Sequence, residues 1–137
     1  MITIQPEPCN NISFVNGTIQ DSPLILLSGD NERTASMLHR ALCEDGFRVQ
    51  FAAPYDELEP VWRHRRPSMV LLEVSGAHSV EAAVNEALKL KRLDPLQFVG
   101  YVADPALHTS GLAGDAIYPR SSEELARALR NHFRNDD

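Results

Sequence analysis

The chain has 137 residues, 43% of them hydrophobic and 23% charged, enough apolar material for one domain with its own core and too much for disorder throughout. Lys and Arg total 13 against 19 Asp and Glu, a formal net charge of −6, which excludes the broad basic face that direct nucleic-acid or acidic-membrane binding requires. No apolar run approaches the roughly 18 residues of a membrane span. The start also lacks the basic-then-apolar order of a secretion signal, so a cytoplasmic protein is expected. The two cysteines, Cys9 and Cys43, fit no metal spacing, and so sparing a use suggests a reducing compartment.

Residues 1–23 are polar and rich in Asn, Gln and Pro, with short alternating runs at 2–4 and 12–15. They read as an extension of a domain at 24–134, with 135–137 as a tail. Leu24, Ile25, Leu26 and Leu27 form a continuous apolar run, the mark of a strand buried on both faces. Ser28, Gly29, Asp30 and Asn31 follow as a loop and helix start, with Asp30 in the capping role. Met37, Leu38, Ala41 and Leu42 share one helical stripe, and Gly46 ends that helix. Residues 47–53 read as a second strand.

Pro54 suits the opening of a second helix, with Leu58, Val61 and Trp62 facing inward. Pro60 predicts that this helix is short or kinked. Met69, Val70, Leu71 and Leu72 make a third strand. Val80, Ala83, Val84, Ala87, Leu88 and Lys91 then give the cleanest helical periodicity, ending before Asp94-Pro95. Residues 98–102 and 116–118 read as strands four and five. Between them Pro105, Gly111 and Gly114 leave room for at most one poor helical turn. Ser121 and Glu124 form a capping box ahead of Leu125, Ala128, Leu129, His132 and Phe133 on one face. Strands alternating with helices predict an α/β fold, a five-stranded parallel sheet with helices on both faces.

In order and spacing, residues 24–134 resemble the receiver domain of bacterial response regulators. The resemblance rests on Leu24-Ile25-Leu26-Leu27-Ser28-Gly29-Asp30, on Glu44-Asp45-Gly46-Phe47 and on Pro67-Ser68-Met69-Val70-Leu71-Leu72-Glu73-Val74. It rests further on Leu90-Lys91-Arg92-Leu93-Asp94-Pro95 and on Gly114-Asp115-Ala116-Ile117-Tyr118-Pro119-Arg120. It implies a flavodoxin-like (CheY-like) sheet of order 2-1-3-4-5, here with the family's fourth helix short or missing. In that family two acids after the first strand hold Mg²⁺, and an Asp after the third accepts a phosphoryl group. A Ser or Thr after the fourth and a Lys after the fifth bind the phosphoryl oxygens.

The resemblance puts Gly29 and Asp30 at the acid pair, Glu73 at the phosphoacceptor and Val102 at the hydroxyl position. Arg120 falls at the lysine and Ile117 at the switch aromatic, with Tyr118 one place later. Gly29 lacks a carboxylate, Val102 has no donor, and Pro119-Arg120 inverts the family's Lys-Pro order. Glu73 is one methylene too long for the attack geometry. These departures imply a pseudo-receiver that keeps the fold and loses the chemistry: not an enzyme, and without a cofactor beyond a weak Mg²⁺ site at Asp30 and Glu73. Glu73 reads either as a partial mimic of phosphoaspartate paired with Arg120 or, more simply, as a solvated carboxylate at a strand end.

Arg63-His64-Arg65-Arg66 is the one basic cluster. With Trp62 beside it, Trp62, Arg63, Arg65 and Arg66 make a candidate surface for an acidic partner or phosphate. The simpler reading is a solvated helix end that complements the helix dipole. His39, His78, His108 and His132 share no metal spacing. The expected function is a non-catalytic signalling module of two-component (phosphorelay) type that binds a protein partner or a second copy. One alternative is a small-ligand or nucleotide-binding flavodoxin-like domain, although no Gly-rich phosphate loop is present. The other is an atypical phosphoacceptor.

Overall fold

β1 (Leu24–Gly29) is buried along its whole length, as its unbroken apolar run requires. A computed structural model describes residues 23–107 and 114–134; the expected extension up to residue 22, the tail at 135–137 and His108 lie outside the described residues. α1 (Glu32–Glu44) is capped by Asn31, whose side chain accepts from the backbone N–H groups of Arg33 and Thr34 at 3.0 and 3.3 Å. Asp30 is therefore not the cap. α1 buries Ala35, Leu38 and Leu42. Met37, expected on that stripe, is 67% exposed, because it lies about 100° around the helix from Leu38. Gly46, at φ 98°, turns the chain out of the helix in the left-handed conformation that glycine adopts cheaply.

β2 (Arg48–Phe51) is shorter than expected. A 3₁₀ turn at Tyr55–Glu57 leads into α2 (Leu58–Arg65), which buries Leu58, Val61 and Trp62. Pro60 is tolerated because it stands in the first turn, where its missing N–H has no intrahelical partner. β3 (Met69–Glu73) is fully buried. A second 3₁₀ turn, Ala77–Ser79, precedes α3 (Val80–Leu93), which buries Ala83, Ala87 and Leu90. Leu88 is exposed and Lys91 reaches Asp115 at 2.7 Å, so neither belongs to the inward stripe. β4 (Phe98–Val102), a 3₁₀ turn at Pro105–Leu107, β5 (Ala116–Tyr118) and α4 (Ser122–Arg134) follow among the described residues. The turn stands where the family has its fourth helix. The N–H of Glu124 reaches Ser121 Oγ at 3.4 Å, half of the expected box.

All strand pairs are parallel and the order is β2-β1-β3-β4-β5, as the resemblance implied. Alternate residues of the central strands enter opposite cores. Leu26, Val70 and Leu72 pack with Trp62 and Leu90 under α2 and α3. Ile25, Leu27 and Leu71 pack with Leu38, Leu42, Leu125 and Leu129 under α1 and α4. The register aligns Gly29 with Glu73, Glu73 with Val102, and Val102 with Tyr118 in one row at the carboxyl ends of the strands. Among the described residues no helix is long and apolar enough to cross a membrane.

Candidate functional site

The carboxyl-end row brings Gly29 and Glu73 together, and the turns after β1 and β5 add Asp30 and Arg120. Glu73 is 1% exposed. Its Oε2 lies 2.8 Å from Arg120 Nη2, and Thr34 Oγ1 donates to its Oε1 at 3.2 Å. Tyr55 anchors the backbone below by donating its hydroxyl to the Glu73 carbonyl at 2.8 Å. A solvated carboxylate is thus corrected to a buried, paired one. Burial pushes the Glu73 carboxyl above the usual carboxylate range, and the Arg120 charge and the Thr34 bond offset this only in part. Arg120 is 29% exposed and its other terminal nitrogen is 3.7 Å from Asp104. The guanidinium therefore bridges one buried and one surface acid.

Gly29 is required by space. A Cβ there would stand 2.8 Å from the Ala35 Cβ, closer than such atoms approach, and 3.0 Å from Glu73 Oε1, a tight contact that the carboxylate would have to relieve. The side chain missing at 29 and the extra methylene at 73 are one packing arrangement: the Glu73 carboxylate lies against the face that Gly29 leaves bare.

Asp30 turns away from α1. Its Oδ2 accepts from Ser75 Oγ at 2.8 Å and from Ser79 Oγ, and His78 Nε2 lies 3.6 Å away. Burial pushes this carboxyl up, but the hydrogen bonds from Ser79 and Ser75 outweigh it and hold it below its ordinary value. Asp30 thereby pins the β3–α3 loop to the end of β1.

The donor set does not fit Mg²⁺. Gly29 supplies nothing, Glu73 is engaged by Arg120, and Asp30 Oδ2 is engaged by two hydroxyls. Asp30 Oδ1 and Glu73 Oε2 are buried without a hydrogen-bond partner among the described residues, the latter facing the Arg120 charge, yet two oxygens fall far short of the roughly six that Mg²⁺ takes. Among the described residues no cluster of three His, Cys, Asp or Glu could hold a metal ion.

Val102 is buried in the core beneath α1 and α4; among the described residues the side-chain hydroxyl bonded to the Glu73 carboxylate comes instead from Thr34 on α1. Ile117 packs toward the α2 and α3 side, whereas Tyr118 is buried on the other, so the strand's aromatic is fixed in the core. Thr34, Tyr55, Ser75 and Ser79 carry no motif and were not legible as site residues. Beside the Glu73–Arg120 pair, a cleft of about 310 Å³ opens between α1 and the start of α4, lined by Thr34, Met37, Leu38, Ala41 and Ser122.

The basic run lies at the opposite end of the sheet. Trp62 is not a surface residue: it is 1% exposed and donates Nε1–H to Gln97 Oε1 at 2.8 Å, because the inward stripe of α2 carries it into the core. Arg63 pairs along the helix with Glu59 at 2.8 Å. Arg66 lies 4.7 Å over the Trp62 ring and 3.3 Å from Asp94. His39 sits 3.2 Å from the Val49 carbonyl and His132 packs against Phe98 with the rings tilted by 55°, both in packing roles.

Comparison with protein-family models and with curated proteins gives no match. Solved structures do match. A response regulator from Desulfuromonas acetoxidans superposes with a TM-score of 0.63 at 14% identity, over 83% of this chain and 98% of that one. The RcsC C-terminus from E. coli, containing a linker region and phosphoreceiver domain, gives 0.64 at 15% identity over 88% of this chain and 51% of that one. A cobalamin-binding protein from Desulfitobacterium hafniense gives 0.63 at 14% identity, over 81% and 59%. At such identities the shared property is the fold, and that fold is the CheY-like one of receiver domains.

Proposed function

We propose that this chain is a receiver-like module of two-component type in which a fixed internal ion pair has replaced phosphoryl transfer. It acts by contact with a protein partner or a second copy. The observation that carries this reading is the Glu73 carboxylate, 1% exposed and 2.8 Å from Arg120, lying across the face that Gly29 leaves open. A phosphoacceptor must present a free oxygen to the donor beside a metal ion. Here one carboxylate oxygen faces a guanidinium and the other accepts from Thr34.

The pair reproduces in part the contact between a phosphorylated acceptor and a cation after the fifth strand. It carries about one negative charge where a phosphoryl group carries nearly two. The module is therefore held in one state rather than switched between two. A net charge of −6 favours a protein partner over nucleic acid or an acidic membrane.

The test is incubation of the full chain with acetyl phosphate and Mg²⁺, followed by intact-mass measurement. No gain in mass is expected. A gain of one phosphoryl group that disappears in Glu73→Ala would overturn the reading in favour of an atypical phosphoacceptor.

A further inference from the structure

α1 and α4 lie side by side over one core and run parallel, since each follows a strand of the same parallel sheet. The cleft of about 310 Å³ between them brings Ser122 beside Met37 and Ala41. Further down, Arg130 meets Asp45 at 3.0 Å, so the start of α4 stands level with the middle of α1. Met37, 67% exposed, stands at the cleft's mouth, an apolar knob beside an apolar hollow.

Exposed charges flank the cleft in opposite order on the two helices. Down α1, Arg40 precedes Glu44; down α4, Glu123 precedes Arg127. Each pair has the i, i+4 spacing that lets a helix close an ion pair on itself. Among the described residues, however, none of these side chains is engaged in an ion pair.

We infer that this face is where two copies of the chain meet. A two-fold axis along the cleft lays α1 of one copy beside α4 of the other, parallel to it. Arg40 then faces Glu123 of the second copy, Glu44 faces its Arg127, and symmetry makes both contacts twice. Each Met37 closes the mouth of the opposite cleft, where Leu38 and Ala41 give it apolar contact. Arg130 adds little repulsion near Arg40, because Asp45 neutralises it. A partner segment of uniform charge is disfavoured, since either sign would meet like charges on this face. The inference rests on the reading above, whose contact it assigns to a second copy.

The test is sedimentation equilibrium of the full chain between about 1 and about 200 μM. The mass should rise from 15.3 kDa towards twice that value. Met37→Asp should raise the dissociation constant by about tenfold or more. Arg40→Glu and Glu123→Arg should each raise it by about fivefold or more. The double variant restores opposite charges across the axis and should return it to within about threefold of the wild type. Leu88→Asp, at an exposed leucine on α3 across the sheet, should leave it within about twofold. Every substituted side chain is exposed, and unchanged Trp62 emission shows that each variant is folded. The inference is overturned by a 15.3 kDa species throughout, by Leu88→Asp matching Met37→Asp, or by a double variant no tighter than the single ones. Treatment with acetyl phosphate separates the two readings. A monomer that gains no phosphoryl group overturns the second copy alone; a dimer that gains one overturns the ion-pair reading alone.

Discussion

Glu73 is a buried carboxyl whose proton is held more tightly in the folded chain than in the unfolded one. Between its ordinary value of 4.5 and the higher folded value, the native state binds more protons. Its contribution to stability therefore falls as pH rises through that window and is constant above it. Urea titrations should show this fall in the wild type, and Glu73→Gln should remove that part of the pH dependence. Identical slopes would mean that the carboxyl is not buried in solution. Its neighbour supplies a second test. Gly29→Asp forces a side chain against Ala35 and Glu73 and should cost about 1–3 kcal/mol by overpacking. Adding Glu73→Ala should recover part of that loss but not all, since the Ala35 Cβ remains. Strict additivity in the double-mutant cycle would show that positions 29 and 73 do not share the space.

The elements that carry the site are held by two adjacent residues with different tasks. Asn31 caps α1, so Asn31→Ala should cost about 1 kcal/mol and speed amide exchange at Arg33 and Thr34, which lose their acceptor. Asp30 ties down the β3–α3 loop, so Asp30→Ala should speed exchange around Ser75–Ser79 and spare the first turn of α1. Reversed patterns would exchange the two roles. Sequence reading assigned the cap to the wrong member of this pair for a physical reason. Both residue types cap helices, and what decides between them is a hydroxyl 45 residues away, which no local pattern reports. The same reading located β1, β3 and β4 because strands buried on both faces leave apolar runs, and β5, whose Ala116 and Ile117 are only half-buried, from its short apolar stretch between turn residues. It extended β2 too far, since Ala52 continues the apolar texture after the ladder has ended, and it placed Met37 inward because neighbouring helical residues differ in direction by only about 100°.

At the scale of the whole molecule, the legible part of the site was the set of positions and the illegible part was their joint geometry. Resemblance located Gly29, Glu73 and Arg120, but burial, the ion pair and the Thr34 hydroxyl depend on sheet register and on how closely α1 approaches it. Trp62 was read both on the inward stripe of α2 and, beside the basic run, as part of a surface; the stripe decides, and Trp62 is buried. That burial makes Trp62 a probe of cooperativity. It is the sole tryptophan and belongs to the core under α2 and α3. The core under α1 and α4 is built on alternate residues of the same β1 and β3. Neither core can be lost while the strands stay intact for the other, so the described domain should unfold as one unit. The red shift of Trp62 emission and the loss of far-UV circular dichroism should share one urea midpoint and one slope. Separate midpoints would show that the α1 and α4 layer opens by itself. Trp62→Phe keeps most of the burial but leaves the Gln97 amide oxygen, at a residue 6% exposed, without its donor. It should lower stability by about 1–3 kcal/mol while the circular dichroism transition stays single.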